Sequence, residues 1–260
     1  MISSNENKWV KLIRRIRNGQ ERNVWLIEGH RTTRECLDAG LKPIAILVCP
    51  ELSEQGDLDS VVQLSKISII PISKTLLSSL TDQDSPRGVI ALFERKKFEL
   101  ETGDNRAGLY IFADRIQDPR NLGTLIRVSM AFDASGIFLG PGSCSATNPR
   151  AIRASSGLIA RAPIAENVSF EIAVDRLRTL NPSVIALDPR GDTLLDRFRF
   201  TSTLLLIIGT EGRGLSAEVK QMATTTLAIP MKCGVESLNL ATATAVACYE
   251  FMRQTRISRF

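Results

Sequence analysis

The segment Pro230–Glu250, PMKCGVESLNLATATAVACYE, places a polar loop between an apolar strand and a helix of small side chains. Glu236, Ser237 and Asn239 occupy that loop, where polar side chains are poor choices for filling a core. Ser237 is predicted to cap the helix that follows. Small residues form one stripe along this helix: Ala241, Ala245 and Cys248. The segment therefore predicts a loop that borders a site and is held by a closely packed helix.

Outward from this segment, apolar strands alternate with helices from residue 108 onward. The predicted strands include GLYIFADRI, GIFLGPG, SVIALD, STLLLIIGTEG and TTLAIPM. Continuous apolar strands that alternate with helices predict an α/β fold, with a parallel sheet covered by helices on both faces. Ligands of such sheets bind at the carboxyl ends of the strands.

The first 95 residues show a shorter alternation, which predicts a small α/β N-terminal domain. Within it, TTRECLDAG is predicted to form a helix capped by Thr32 or Thr33. The stretch RKKFELETGDNRAG is charged and has no hydrophobic period. We therefore expect an N-terminal domain at residues 1–95, a linker at 96–107 and a second domain at 108–260.

Charge and composition restrict the class of partner. The net charge is +5, and no acidic residue lies between Asp133 and Glu166, where three arginines occur. Residues 8–34 form a second basic cluster, with eight lysines and arginines against two glutamates. Basic surfaces favour phosphate backbones, although solvated helix faces would explain this N-terminal cluster equally well. One histidine and five cysteines without a CxxC pair argue against a metal site and for a reducing, cytoplasmic location. No apolar run approaches the length of a membrane span, and we expect no membrane partner.

Two further loops follow strands. DRIQDPRNLGTLIR contains Asn121 near the start of a helix and Arg127 six residues later. IIGTEGRGLS contains three glycines, which permit close backbone approach to a ligand. It matches neither the GxGxxG dinucleotide fingerprint nor a phosphate-binding P-loop. Taken singly, the first loop is more typical of a capped surface helix with an ordinary arginine, and the second is more typical of a turn.

Together the loops carry a resemblance. In this order, NLGTLIR, IIGTEGRGLS and IPMKCGVESLNLATATAVACYEFMRQ resemble the three motifs of the SpoU/TrmH family of RNA ribose methyltransferases, in the SPOUT superfamily. NPRAIRASSGLIARAPI resembles an additional basic segment of that family. The resemblance covers residues 108–255, and residues 1–95 resemble the small RNA substrate-binding domain that often precedes the catalytic domain.

The resemblance implies methyl transfer from S-adenosylmethionine to a ribose 2′-hydroxyl of RNA. We expect ribosomal RNA as the substrate, in rRNA processing, with transfer RNA as the alternative. It also implies a C-terminal deep trefoil knot and a homodimer, with no metal. The implied catalytic residues are Asn121, Arg127, Glu211, Ser237 and Asn239. The implied cofactor-binding residues are Gly209, Ile229, Met231 and Leu238. The expected RNA-binding residues are His30, Arg31, Arg34, Arg150 and Arg153.

The role of Arg127 is constrained by its chemistry. A guanidinium has a pKa of about 12.5 or higher and offers no acceptor while it is charged. Our hypothesis is therefore that Arg127 binds the RNA phosphate beside the target ribose and stabilises the developing alkoxide. A non-catalytic RNA-binding protein on the same fold and a nucleotide-dependent oxidoreductase that uses GTEGRG are the competing interpretations.

Overall fold

The computed structural model describes residues 1–53, 67–82, 85–95, 106–209 and 214–255. The chain forms two compact units. The first comprises Met1–Lys97 and Thr147–Arg161, and the second comprises Phe98–Ala146 and Ala162–Phe260. Thr147–Arg161 thus packs with the N-terminal unit, although strands of the second unit precede and follow it in sequence.

The regular elements are as follows. The described helices are α1 (Lys8–Arg17), α2 (His30–Asp38), α3 (Lys74–Ser79), α4 (Pro119–Ala131), α5 (Pro149–Ala154), α6 (Phe170–Leu177), α7 (Ala217–Met222) and α8 (Leu240–Thr255). The described strands are β1 (Val24–Glu28), β2 (Pro43–Val48), β3 (Ile69–Pro71), β4 (Val89–Glu94), β5 (Leu109–Ala113), β6 (Gly136–Leu139), β7 (Ile164–Glu166), β8 (Ser183–Leu187), β9 (Thr193–Leu194), β10 (Leu204–Ile208) and β11 (Thr225–Ala228). Short 3-10 turns occur at Pro50–Leu52, Leu158–Ala160, Arg178–Leu180 and Leu195–Arg197.

The first unit is built on a mixed sheet with strand order β1-β4-β2-β3. β4 is antiparallel to both of its neighbours, whereas β2 and β3 are parallel. Leu26 of β1 packs into a core with residues of α1 and α3. Because side chains alternate along a strand, Trp25 and Ile27 point to the opposite face. β1 also contacts α2 and α5, so the segment Thr147–Arg161 belongs to the packing of this sheet.

The predicted cap of α2 is wrong. The helix begins at His30, after Gly29 at φ 87°, and not at Thr32 or Thr33. The buried Thr33 hydroxyl donates a hydrogen bond to the Gly29 carbonyl across 2.8 Å instead of capping an N–H. Gly29 is therefore the single residue between the end of β1 at Glu28 and the start of α2 at His30, and its positive φ favours glycine.

The second unit contains a sheet of strand order β7-β6-β5-β10-β8-β11-β9, and every strand pair described in it is parallel. This confirms the predicted α/β fold with a mostly parallel sheet. β5 and β10 are adjacent and buried along their whole lengths, with Ala113 opposite Ile208. The residues that follow these two strands are therefore neighbours at the carboxyl edge of the sheet. No helix in the described ranges has the length and apolar content to cross a membrane.

Candidate active site

A pocket of about 770 Å³ opens in the second unit where β8, β10 and β11 end. Its volume lies within the range of small-molecule sites in proteins. It is lined by Leu187, Asp188, Pro189, Arg190, Ile208, Gly209, Gly214, Leu215, Lys220, Leu227, Ile229, Met231, Glu236, Ser237, Leu238, Leu240 and Ala243. The polar loop before α8 therefore borders a cavity, through Glu236, Ser237 and Leu238.

The four residues that were expected to bind the cofactor, Gly209, Ile229, Met231 and Leu238, all lie in the wall of this pocket. Ile229 and Leu238 contribute apolar side chains, together with Leu187 and Leu227 at the strand ends. A flat apolar group such as an adenine ring fits such a wall, which leaves the polar lining residues to orient the rest of a ligand.

Charged residues of the pocket wall were missed by the sequence analysis. Lys220 Nζ donates to Asp188 Oδ2 across 2.6 Å, and the Arg190 N–H donates to Asp188 Oδ1 across 2.8 Å. Partial burial of the carboxyl is the largest single influence and opposes ionisation. The hydrogen bonds from Lys220 and from the Arg190 N–H, together with the charges of these two residues, outweigh it and hold the pKa of Asp188 below its ordinary value. Asp188 follows β8 directly, so the rule that ligands bind at strand ends could have found it.

Gly209 permits a close backbone crossing beside the pocket. A Cβ added to Gly209 would lie 2.5 Å from the carbonyl carbon of Gly214 and 2.7 Å from the Leu215 nitrogen. No larger residue fits there without moving backbone. Glu211, which was expected to be catalytic, lies outside the described residues.

Asn239 links two of the three motifs. Its Oδ1 accepts hydrogen bonds from the Ala241 and Thr242 N–H groups, across 3.0 and 3.4 Å. Its Nδ2 donates to Asn121 Oδ1 across 3.4 Å. The predicted cap of α8 was therefore wrong: Asn239 caps the helix, while Ser237 lies two residues before it in the pocket wall.

Arg127 lies on α4, the helix that begins just before Asn121, and its side chain is exposed. Six residues of helix separate the two positions by about 9 Å along the axis. α4 packs against α8. Asn121, Arg127 and Asn239 thus belong to one helix pair, beside the pocket and not in its wall.

Comparison with known proteins identifies the family. Residues 108–249 match the profile of the SpoU rRNA Methylase family, and residues 7–91 match the MRM3-like substrate binding domain. The chain belongs to the SpoU family. An uncharacterized tRNA/rRNA methyltransferase of Mycobacterium leprae (strain TN) is 30% identical over 238 residues, which cover 88% of this chain and 77% of that protein.

Solved structures of SpoU proteins share the fold. AviRb from Streptomyces viridochromogenes, a SpoU methyltransferase in complex with AdoMet, superposes with a TM-score of 0.84 at 25% identity, covering 98% of this chain and all 100% of that one. An RNA 2′-O ribose methyltransferase superposes with a TM-score of 0.83 at 26% identity, covering 97% and 98%. This chain is thus a member of an RNA methyltransferase family.

The residues expected to bind RNA in this SpoU protein all lie in the first unit. α2 begins with His30 and carries Arg31 and Arg34, both exposed, and Arg34 Nε lies 3.6 Å from Asp38 Oδ2. Arg150 and Arg153 lie on α5 and keep 61% and 40% of their side chains exposed.

Arg150 and Arg153 also take part in an ion cluster of the first unit. Arg150 Nε lies 3.0 Å from Asp82 Oδ2, and Arg153 Nη1 lies 3.4 Å from Asp82 Oδ1. Arg17 pairs with both Asp82 and the buried Glu28. Burial opposes ionisation of Asp82, but the Arg150 hydrogen bond and the charges of Arg17 and Arg153 lower its pKa to about 2. Two carboxylates therefore neutralise part of this basic surface.

No group of three or more histidine, cysteine or acidic side chains in the described ranges is arranged to hold a metal ion.

Proposed function

We propose that this SpoU protein transfers a methyl group from S-adenosylmethionine to a ribose 2′-hydroxyl of RNA, with ribosomal RNA as the favoured substrate. One observation carries the proposal. The pocket lined by Gly209, Ile229, Met231 and Leu238 adjoins the helix that Asn239 caps, and Asn239 bonds to Asn121 on the helix of Arg127. AdoMet bound to AviRb and the 2′-O ribose activity named for the second structure support it.

The pocket residues fit the chemistry of S-adenosylmethionine. When bound, the cofactor supplies an electrophilic methyl group on a sulfonium. Ile229 and Leu238 offer apolar surface for adenine, and Gly209 offers backbone groups without a side chain in the way. Asp188 and Lys220 offer charges of both signs for an amino-acid zwitterion. The protein then needs to align the 2′-hydroxyl, the methyl group and the sulfur, because an in-line displacement gains much of its rate from orientation.

Arg127 is proposed to act on the acceptor and not on the cofactor. Its exposed guanidinium can bind an RNA phosphate with two parallel hydrogen bonds and stabilise charge that develops on the 2′-oxygen. Asn121 and Asn239 hold the helix pair on which it lies. Ser237 and Glu211 complete the proposed catalytic set, which orients the ribose.

The proposal extends to the architecture and location. It includes a C-terminal deep trefoil knot, which the close crossing of Gly209 and Gly214 supports. It includes a homodimer, for which the exposed Val246 and Tyr249 of α8 offer apolar surface, 37% and 56% exposed. An RNA substrate-binding domain at residues 1–95, a linker at 96–107, a methyltransferase domain at 108–260 and a cytoplasmic location belong to it as well.

Transfer RNA is the second candidate substrate, because the name of the Mycobacterium leprae relative covers both RNA classes. The reaction and the fold would be the same for both substrates. The two candidates differ in which RNA the first unit binds.

Methyl transfer from tritiated S-adenosylmethionine to purified ribosomal RNA and, separately, transfer RNA tests the proposal. A 2′-O-methyl group blocks alkaline cleavage of the adjacent phosphodiester, so the modified ribose is found as an alkali-resistant dinucleotide. Label in ribosomal RNA at such a site supports the proposal, and label in transfer RNA alone favours the second candidate. Label on a base contradicts ribose methylation. Failure to bind the cofactor in calorimetry would leave the non-catalytic RNA-binding interpretation.

A further inference from the structure

Asp114 is a buried carboxylate to which the sequence analysis assigned no role. It directly follows β5, and only 5% of its surface is exposed. Its N–H donates to the Ile208 carbonyl at the end of β10 across 2.8 Å. A buried carboxylate is costly unless hydrogen bonds compensate it, so its partners indicate why the chain keeps it.

The carboxylate bonds to a backbone group that lies far away in sequence. Asp114 Oδ2 accepts a hydrogen bond from the Ser216 N–H across 2.9 Å, and the two residues are 102 positions apart. The neighbouring Arg115 side chain lies 3.3 Å from Oδ1. Hydrogen bonds from backbone N–H to a charged acceptor are stronger than neutral ones.

Ser216 stands where the glycine-rich loop ends. Gly214 and Leu215, directly before it, line the pocket, and α7 starts directly after it. The Ser216 hydroxyl caps α7 by accepting from the Val219 N–H across 3.4 Å. The Ser216 N–H is thus the group through which Asp114 holds the pocket wall.

The turn that carries Asp114 is itself anchored on its other side. Arg115 has a left-handed conformation, φ 54°, which is costly for a residue with a side chain. The next N–H, of Ile116, donates to Ser143 Oγ across 3.1 Å, and the Cys144 N–H donates to the Ile116 carbonyl across 2.7 Å. The same turn leads to Asp118, which caps α4. Asp114 therefore lies between the pocket wall and the helix of Asn121 and Arg127.

We propose that Asp114 is a positioning residue that fixes Gly214–Ser216 against the turn before α4 and so sets the shape of the cofactor pocket. This inference rests on the proposed function for the identity of the ligand. The anchoring itself is a property of the ligand-free protein, and this allows the two to be tested separately.

Two substitutions of Asp114 isolate the hydrogen bond in the full-length protein. Asp114→Asn keeps an acceptor oxygen, whereas Asp114→Leu has a similar shape and no acceptor. We expect the calorimetric dissociation constant of S-adenosylmethionine to stay within about threefold for Asp114→Asn and to rise about tenfold or more for Asp114→Leu. RNA affinity should not change for either.

A second pair removes the donor. The φ of Ser216 is −62°, which proline can adopt, so Ser216→Pro deletes the N–H and Ser216→Ala deletes only the hydroxyl cap. Ser216→Pro is expected to weaken cofactor binding about tenfold relative to Ser216→Ala. This pair decides the question if Asp114→Leu does not fold.

Hydrogen exchange of the ligand-free protein provides a readout besides binding. In Asp114→Leu, the amides of Leu215 and Ser216 should exchange about tenfold faster, while those of β6 should keep the wild-type rate. Unchanged exchange at Ser216, or equal affinity of Ser216→Pro and Ser216→Ala, would overturn the inference. If the wild type does not bind S-adenosylmethionine, the proposed function fails, whereas the exchange result still decides whether Asp114 anchors the loop.

Discussion

The side-chain amide of Asn239 donates a hydrogen bond to Oδ1 of Asn121 across 3.4 Å, joining two residues 118 positions apart. The orientation of the amide is set by α8, because Oδ1 of Asn239 is turned toward the first free N–H groups of that helix. One side chain therefore both starts α8 and connects it to α4.

Variants of Asn239 separate its two contacts. Asn239→Ala loses both, and we expect the free energy of unfolding to fall by about 1 kcal/mol, as for other lost helix caps. Asn239→Ser keeps a capping oxygen but cannot reach Asn121, so it should retain most of the stability and lose methyl-transfer rate. Urea unfolding and single-turnover transfer measure the two effects. Full activity in Asn239→Ser would show that the bond to Asn121 is dispensable.

Replacement of Arg127 by lysine keeps the positive charge and removes the planar fork of the guanidinium. We expect the single-turnover rate to fall about 100-fold, with the S-adenosylmethionine dissociation constant unchanged, because Arg127 lies outside the pocket wall. Arg120→Lys, on the same helix and 80% exposed, is the matched control and should react at the wild-type rate. A near-normal rate for Arg127→Lys would contradict a bidentate hydrogen bond from Arg127 to the RNA phosphate.

Substitution of Gly209 tests the backbone crossing at the pocket. In Gly209→Ala the new methyl would lie 2.5 Å from Gly214, so the pocket wall must move, and cofactor affinity should fall about tenfold or more. Gly19→Ala in the first unit has a positive φ of 71° and open space around it. That control should lose stability through backbone strain but bind the cofactor normally in calorimetry. Equal affinities for the two variants would contradict a role for Gly209 in the pocket.

The ion cluster around Asp82 predicts a pH dependence of stability. The pKa of Asp82 is about 2 in the folded protein and about 3.9 in an unfolded chain. Its stabilising contribution is thus fully present above about pH 5 and is lost as the pH falls from about 4 to about 2. The stability difference between the wild type and Asp82→Asn, measured by urea unfolding, should shrink over this range. A difference that stays constant from pH 7 to pH 2 would contradict the assignment.

Charge reversal on α2 tests RNA binding by the first unit. Arg31→Glu with Arg34→Glu should weaken RNA binding and flatten its dependence on salt, because fewer counterions are released. Cofactor affinity should not change. Arg176→Glu with Arg178→Glu makes the same change in charge on the second unit and should weaken RNA binding less, as judged by filter binding at several salt concentrations. If both double variants lose RNA affinity equally, α2 makes no specific contact with RNA.

Periodicity predicted the larger elements because they are long and apolar. β5 and β10 each have five consecutive buried residues, and the hydrophobic pattern finds such strands directly. β7 and β9 were missed because three and two residues are too short to show a period. The placement of Gly209 near the third motif came from the family resemblance, and Gly209 lines the same pocket as Ile229, Met231 and Leu238.

Side-chain partners could not be predicted from the sequence. Asp114 and Ser216 are 102 positions apart, and no local pattern pairs a strand-end carboxylate with one distant N–H. The same holds for Arg150 and Asp82, which are 68 positions apart. Arg150 and Arg153 were interpreted as RNA contacts because their positive charge is visible in the sequence. Their pairing with Asp82 is visible only in the structure.

Because Thr147–Arg161 packs with the first unit, neither unit is encoded by one continuous stretch of sequence. Ala151 and Ile152 are buried in the first unit, at 0% and 1% exposure. A fragment of residues 1–95 would lack these side chains, and the complementary fragment would carry them without their partners. The two units are interleaved in the gene, so a relative that acquires a new N-terminal half by recombination must also acquire a second, separate piece of sequence to match it.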